Sequence, residues 1–562
     1  MRNGQEITVS SIIGDEMKYL FKILSIGAFL MVGNAFGVIC PSNNNAPLCP
    51  SSGSTLLDET YPAQAFVISN DPIIKSLQSA NLTSNYINTL AKSYDYENIP
   101  QIFVPVTTED DFNKIVSKVK TMLEASHIKN KKIEKILTQI THIPSKSYTW
   151  QQDYFEAVVD LKTGHPVLRE FESYTNNRPE TLGVLDKIQK LGRKCQITKG
   201  EVFLSHHVND TSHTKDSSFR NGEMGGNVEG APGGFCLTGD NQAKKFATQY
   251  CGNEANIIQL QTSWLAVGHV DEIFKIIPSE FNDGRPEKCN FSLMAASPKK
   301  ALELMNESTT RAHSFYSFSH KLSDEELNQM KKSRSKVTYG SPGIKIICDY
   351  IKKAVKDGSF VLPKKLQQND SKNNRSAFLN FIMNRASAEP SAEEEKEGMA
   401  FKCEDYIDQI PNENIRAALE KDTDIIHLNT AIQDSIDKDK ELIKSKIILR
   451  LPECAKYFDI LDVPDLFYGA KAIEKNGKFI LPMDNIVGGA VNSFLPNPTN
   501  SVLMNKTILL PETGNPAFDS YVSKELEKRK IKTETIDTWD YAHAGQGNIH
   551  CSSHSILNCR TN

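Results

Sequence analysis

Ser263-Trp264-Leu265-Ala266-Val267-Gly268-His269-Val270-Asp271-Glu272-Ile273-Phe274 is the stretch from which the rest of the chain is read. It sets an imidazole two residues from a carboxylate, and an extended backbone would point both side chains the same way. Such a pair asks for a nucleophile. Gly547-Asn548-Ile549-His550-Cys551 supplies a thiol near the C-terminus, and Trp150-Gln151-Gln152-Asp153 supplies a second anion upstream. Two carboxylates, a histidine and a cysteine suit covalent attack on a planar cation such as a guanidinium. Each part alone is weak, because structural His-Asp pairs are common. A single cysteine in an exported chain is by default half of a disulfide, and Cys559 is an available partner for Cys551.

The chain has 562 residues, enough for a large core and more than one folded unit. Its composition, 39% hydrophobic and 24% charged, is that of an ordinary globular protein. A net charge of -4 gives no reason to expect nucleic acid as a partner. Lys18 and Lys22 precede an apolar run from Ile23 to Gly33, and small residues follow at Ala35 and Gly37. This predicts an export signal over 1–37, with Met17 as an alternative start because acidic residues precede it. The run is short for a membrane span, so no stable span is expected after cleavage, and the protein is expected to be secreted. Eleven cysteines suit an oxidising compartment, with Cys40 and Cys49 a plausible local pair.

Residues 38–60 are rich in Ser, Asn and Pro and read as a linker. Gln101 to Val106 reads as a strand leading into Thr108-Glu109-Asp110-Asp111, a helix start with acids in its first turn. Ile115, Val116, Val119, Met122 and Leu123 then recur at helical spacing. Ser297-Pro298 and Asn515-Pro516 predict two further helix starts. Phe291 to Ala295, Thr507 to Leu510 and Ile531 to Thr538 read as strands. This alternation predicts an α/β architecture. From 322 to 445 charged helical segments alternate with polar tracts, which reads as a helical, partly disordered insertion or lid. It would divide the catalytic part into 61–321 and 446–562. No GxxxxGK[ST] pattern is present, so the glycines of 222–234 are not a phosphate loop. His206, His207 and His213 lie in a polar stretch without other ligands at metal spacing.

The His269–Asp271 segment resembles the histidine-aspartate motif of the protein-arginine deiminases. Trp150-Gln151-Gln152-Asp153-Tyr154-Phe155-Glu156 resembles their upstream aspartate motif, and Gly226-Asn227-Val228-Glu229 their Gly-Asn-x-Glu segment. Asp459 to Phe467, Ala490 to Leu503 and Gly547 to Ser552 resemble later stretches, in the same order. The resemblance implies a pseudo-fivefold α/β propeller of ββαβ-type modules. It implies that Asp153 and Asp271 hold a guanidinium, Cys551 attacks it, and His269 transfers protons. Arginine in peptides or proteins would be the substrate and citrulline the product. Trp150 would line the substrate's aliphatic stem, and Arg178 is the best candidate for docking its backbone. The family's calcium site would fall on Gln152, Glu156 and Glu229, with the carbonyls of Gly225 and Val228. A second calcium site uses an acidic residue where this chain has Tyr154. Two rivals stand beside this reading. One is a small-guanidine hydrolase such as agmatine deiminase. The other is an inactive secreted arginine-binding protein, which would require Cys551 to be disulfide-bonded.

Overall fold

The computed structural model describes residues 49, 56–69, 80–145, 150–160, 164–171, 183–192, 197, 224–242, 244–307, 423–468, 472–475, 477–481, 491–538, 542–543 and 547–559. The export signal, Arg178, the histidines at 206, 207 and 213, and most of the expected insertion lie outside these residues.

The first unit holds β1 (Ala63–Ile68), α1 (Ala80–Ser93), β2 (Gln101–Val106), α2 (Glu109–Ala125), α3 (Asn130–Gln139) and β3 (Ile140–Pro144). Thr108 caps α2 by accepting from the Asp111 N–H at 3.2 Å, and Phe112, Ile115, Val119 and Leu123 form its buried face. That face is the one the helical spacing predicts. A hairpin follows, β4 (Phe155–Val159) and β5 (Pro166–Glu170), then α4 (Val184–Gly192).

The next two units share one plan. In the first, β6 (Val228–Ala231) pairs antiparallel with β7 (Phe235–Gly239), and α5 (Lys244–Cys251) returns the chain to β8 (Ile257–Leu260), parallel to β7. In the second, β9 (Phe274–Pro278) and β10 (Phe291–Ser297) are antiparallel, and α6 (Pro298–Glu307) follows. After α7 (Thr423–Arg450) the chain enters β11 (Asp459–Pro464), parallel to β10. Ser297 Oγ accepts from the Lys300 N–H at 3.2 Å, so the predicted proline-led start of α6 is present. After the short strands β12 (Phe467–Tyr468), β13 (Ile473–Lys475), β14 (Lys478–Ile480) and β15 (Asn492–Ser493), the same plan returns in β16 (Val502–Met504), β17 (Thr507–Pro511), α8 (Pro516–Lys528) and β18 (Lys532–Ile536). Asn515 caps α8 by accepting from the Ala517 N–H. The last strand, β19 (Ser553–Leu557), pairs antiparallel with β1, giving the order β19-β1-β2-β3 and placing the C-terminal segment beside the first unit.

The architecture is therefore mixed α/β, and its apolar interior forms several clusters, each between a small sheet and its helices. Two expectations change at the edges. Leu56, Leu57 and Glu59, expected in a linker, are buried, and Leu56 bridges to Val158 of β4. The last part of the expected insertion is α7, whose Leu428, Ile432, Ile436, Ile443 and Ile447 enter the core beside β10. Three disulfides join the described residues: Cys49–Cys559, Cys236–Cys251 and Cys289–Cys454. Cys49 thus pairs with Cys559 and not with Cys40. Cys551 is free and buried, which removes the disulfide that the binding-protein rival needs.

Candidate active site

His269 and Asp271 are not on an extended strand. Gly268 has φ +85°, a conformation that favours glycine. An added Cβ there would also stand 2.6 Å from Asn241 Nδ2, whose amide bonds the Gly268 carbonyl at 3.1 Å. The chain then makes a single 3₁₀ turn over Val270–Glu272. Glu272 Oε1 accepts from the His269 N–H at 2.9 Å, and the His269 side chain accepts from the Glu272 N–H. This reciprocal cap, not strand periodicity, sets the two side chains.

Three further turns converge on this one. Asp153 lies in the turn before β4, and its Oδ1 is 3.6 Å from His269 Nδ1. The Gln152 N–H donates to the Cys551 carbonyl at 3.2 Å, joining that turn to the nucleophile. Cys551 Sγ is 3.5 Å from Asp271 Oδ2. Gly226 sits against the pair: an added Cβ would be 2.5 Å from His269 Nδ1 and 3.2 Å from Asp153 Oδ1. Gly226→Ala is therefore expected to push the imidazole aside. Turnover should fall roughly hundredfold, the scale of an ångström misplacement, while the melting temperature changes little. Steady-state rates and a thermal melt of the same preparation check this. Trp150 packs against the segment that precedes the nucleophile, where a Cβ on Gly547 would stand 2.4 Å from its ring.

Asn500 also belongs to the site, although its role was not read from the sequence. Its Nδ2 is 3.1 Å from Cys551 Sγ, its Oδ1 accepts from the Cys551 N–H at 3.3 Å, and its carbonyl accepts from His550. Thr499 Oγ1 donates to the Glu272 carbonyl at 3.1 Å, so this loop braces both the thiol and the His-Asp turn. Its location within Ala490 to Leu503 was the available signal.

Burial raises the Cys551 pKa well above the usual thiol value, and the charges of Asp271 and Asp153 add to this. The thiol is therefore neutral in the empty site, as the two carboxylates beside it suggest. Asp271 Oδ1 is buried with no hydrogen-bond partner among the described residues, an acceptor held ready for a cationic donor. Burial would lower the pKa of His550. Its bonds to Asp271 and Glu59, with the charge of Glu229, outweigh burial and the repulsion of Lys275, raising it to about 9.

Behind this lies the oxygen set that the resemblance assigns to calcium. Gln152 Nε2 donates to Glu156 Oε1 at 2.8 Å, and Gln152 Oε1 is 2.7 Å from His554 Nδ1. Gly225 packs on the same atoms, since an added Cβ would stand 3.1 Å from Glu156 Oε1. Val228 and Glu229 open β6 beside them. Burial, then the charge of Glu229, raises Glu156 well above a normal carboxylate. Burial raises Glu229 to about 7, against the attraction of His550 and Lys275. Glu229 Oε1 has no hydrogen-bond partner among the described residues. Two buried carboxylates, with the charge of Glu229 raising Glu156 and the Gly225 backbone packed against Glu156, suit a hard cation. Among the described residues, no three acidic, histidine or cysteine side chains converge on one metal position. Tyr154, at the second family site, turns into the core, where its hydroxyl donates to Glu170 Oε1 at 2.6 Å.

The family model for protein-arginine deiminase matches residues 240–339 and 383–560, which include His269, Asp271 and Cys551. No curated protein matches the chain. Among solved structures, an agmatine deiminase of C. jejuni is 12% identical with a TM-score of 0.37, over 91% of this chain and 97% of that one. A protein provisionally named peptidyl-arginine deiminase gives 12% and 0.42, over 90% and 99%. The agmatine deiminase of Enterococcus faecalis gives 10% and 0.38, over 92% and 100%. A thiol, a histidine and two carboxylates brought together, three of them inside the matched family region, make the site that of a guanidino-group deiminase. The family match of this chain is to the protein-arginine deiminases.

Proposed function

We propose that this protein is a secreted, calcium-dependent deiminase of peptidyl-arginine. The observation that carries the reading is the placement of Cys551 Sγ beside Asp271, whose second oxygen is uncommitted, with His269 and Asp153 adjacent. Asp153 and Asp271 grip the guanidinium by charge-assisted hydrogen bonds, a geometry that suits a planar fork better than an ammonium. The bound cation offsets the two carboxylates and promotes the Cys551 thiolate. The sulfur adds to the central guanidinium carbon, and His269 protonates the departing nitrogen, which leaves as ammonia. His269 then takes a proton from water, which adds to the thiouronium carbon. Collapse restores the thiol and releases citrulline. The side chain loses one positive charge.

Gln152, Glu156 and Glu229, with the carbonyls of Gly225 and Val228, would hold the calcium. Bound there, the ion supplies positive charge that neutralises the two glutamates behind the Asp153 turn. The recurring hairpin-helix-strand units support a five-module propeller. The three disulfides favour an oxidising, extracytoplasmic setting, and no helix of the described residues is long and apolar enough to cross a membrane.

Citrulline or ureido product is measured from benzoyl-arginine amide, free arginine and agmatine, each with calcium or with chelator. Turnover is expected on the peptide analogue with calcium, falling at least about a hundredfold in chelator, the upper end of effects that act through ligand placement. Preference for agmatine would move the protein to the small-guanidine branch. Indifference to chelator would remove calcium and leave the deiminase.

A further inference from the structure

His550 is held from both sides. Its Nδ1 is 2.9 Å from Asp271 Oδ2, and its Nε2 is 3.1 Å from Glu59 Oε1. Both partners are carboxylates, so each ring nitrogen donates and the ring is a cation. Glu59 Oε2 in turn lies 2.6 Å from Lys275 Nζ. All four side chains are buried. The series Lys275, Glu59, His550, Asp271 ends on the oxygen that faces the thiol, and leaves Asp271 Oδ1 for another donor.

Glu59 reaches this place from before β1 and is firmly set. The Leu57 N–H donates to the Ala157 carbonyl at 3.2 Å. Asp58 presses on β6, where a Cβ on Gly230 would be 2.7 Å from its Cα. Asp58 Oδ1 also accepts from the Thr60 N–H at 2.9 Å. Upstream, Cys49 is bonded to Cys559, just beyond the strand that follows the nucleophile. A buried ion pair is a poor source of net stability, so stability alone is a weak reason for carrying Glu59 and Lys275 into this position.

We propose that Glu59 is a positioning residue for the deiminase site: backed by Lys275, it clamps His550 so that the ring fixes Asp271 and offsets its charge beside Cys551. This rests on the deiminase reading above. Glu59 itself touches neither the thiol nor the position of the guanidinium. With the clamp released, Asp271 is free to turn and its charge bears fully on the sulfur, opposing the thiolate.

The test is the rate at which iodoacetamide alkylates Cys551 in the folded, disulfide-intact protein at fixed pH, followed by intact mass. It requires no turnover. Glu59→Gln keeps the size and an acceptor for Nε2 but removes the charge. A second variant joins it to Lys275→Met, which removes the ammonium that would otherwise be stranded. Both are expected to slow alkylation about tenfold, the effect of one unit in the thiol pKa. A merely loosened core would expose the thiol and speed alkylation, the opposite sign. A wild-type rate in a folded variant, or recovery of that rate in the double variant, would overturn the proposal. Absence of wild-type turnover on every guanidine would instead bring down the deiminase reading, and the alkylation comparison would still decide the role of Glu59.

Discussion

Replacing Cys551 with alanine is expected to lower citrulline release by about 10⁴-fold or more, as loss of a covalent nucleophile does elsewhere. The melting temperature should stay within a few degrees. Cys551 is the free cysteine of the described residues, the other six being paired. The groups around it are acids and bases suited to hold a cation or move protons, and none replaces a thiolate as attacking atom. Its structural contribution is small: Sγ meets the Asn500 amide at 3.1 Å and an Asp271 oxygen at 3.5 Å. Alanine removes one sulfur atom and also relieves a buried thiol that faces a carboxylate. Product assay and thermal melt on the same sample separate the two effects. An alanine variant that keeps a tenth of the activity would move the chemistry to a water activated by His269 and end the covalent mechanism.

What could be read from the sequence was local or carried by short motifs. Thr108 with its acidic first turn gave α2, and Ser297-Pro298 and Asn515-Pro516 gave the starts of two more helices, because a cap is made by residues three or fewer apart. The motif residues Asp153, His269, Asp271 and Cys551 were found by type and order, and the fold brings all four together. The matched family region leaves out Trp150 to Glu156 and Gly226 to Glu229, which are legible as short motifs, and the fold sets Gln152 against the Cys551 carbonyl and Gly226 against His269 and Asp153. The backbone of the His-Asp pair differs from the extended one expected, because a positive φ at Gly268 and a return cap from Glu272 make a turn that side-chain alternation does not encode. Glu59, Lys275 and Asn500 were not singled out. Their partners are distant in sequence, His550 and Glu59 being 491 residues apart, and a composition rich in Ser, Asn and Pro hid Glu59 at the end of an expected linker. A lysine inside the apolar strand Phe274–Pro278 was the one visible sign, since a buried lysine requires an anion. Cysteine pairing failed for the same reason: Cys49 and Cys559 are separated by 510 residues, while Cys40 stood close by.

Asp271→Asn is expected to split two properties that normally move together. Turnover on an arginine peptide should fall about 10³-fold, because a charge-assisted grip on the guanidinium becomes a neutral one in a buried site, worth roughly 4 kcal/mol once the stranded cation is included. Reactivity of Cys551 toward iodoacetamide in the empty enzyme should rise at the same time. After burial, Asp271 is the leading cause of the raised thiol pKa, so removing its charge lowers that pKa and increases the thiolate fraction at neutral pH. The sign is opposite to that expected for Glu59→Gln, where Asp271 keeps its charge and loses the cation that offsets it. Asp153→Asn should follow Asp271→Asn with a smaller gain in thiol reactivity, since Asp153 ranks below Asp271 among the charges acting on the sulfur. The measurement is a paired one, kcat/KM beside the alkylation rate at several pH values. If both fall in Asp271→Asn, the carboxylate serves the thiol directly, as a base or an orienting acceptor, and the guanidinium must be held by Asp153 and other groups. If alkylation rises while turnover collapses, the thiolate is made available by the substrate's own charge. An enzyme of this design keeps its nucleophile protonated until a guanidinium is in place, which protects a buried thiol from oxidation.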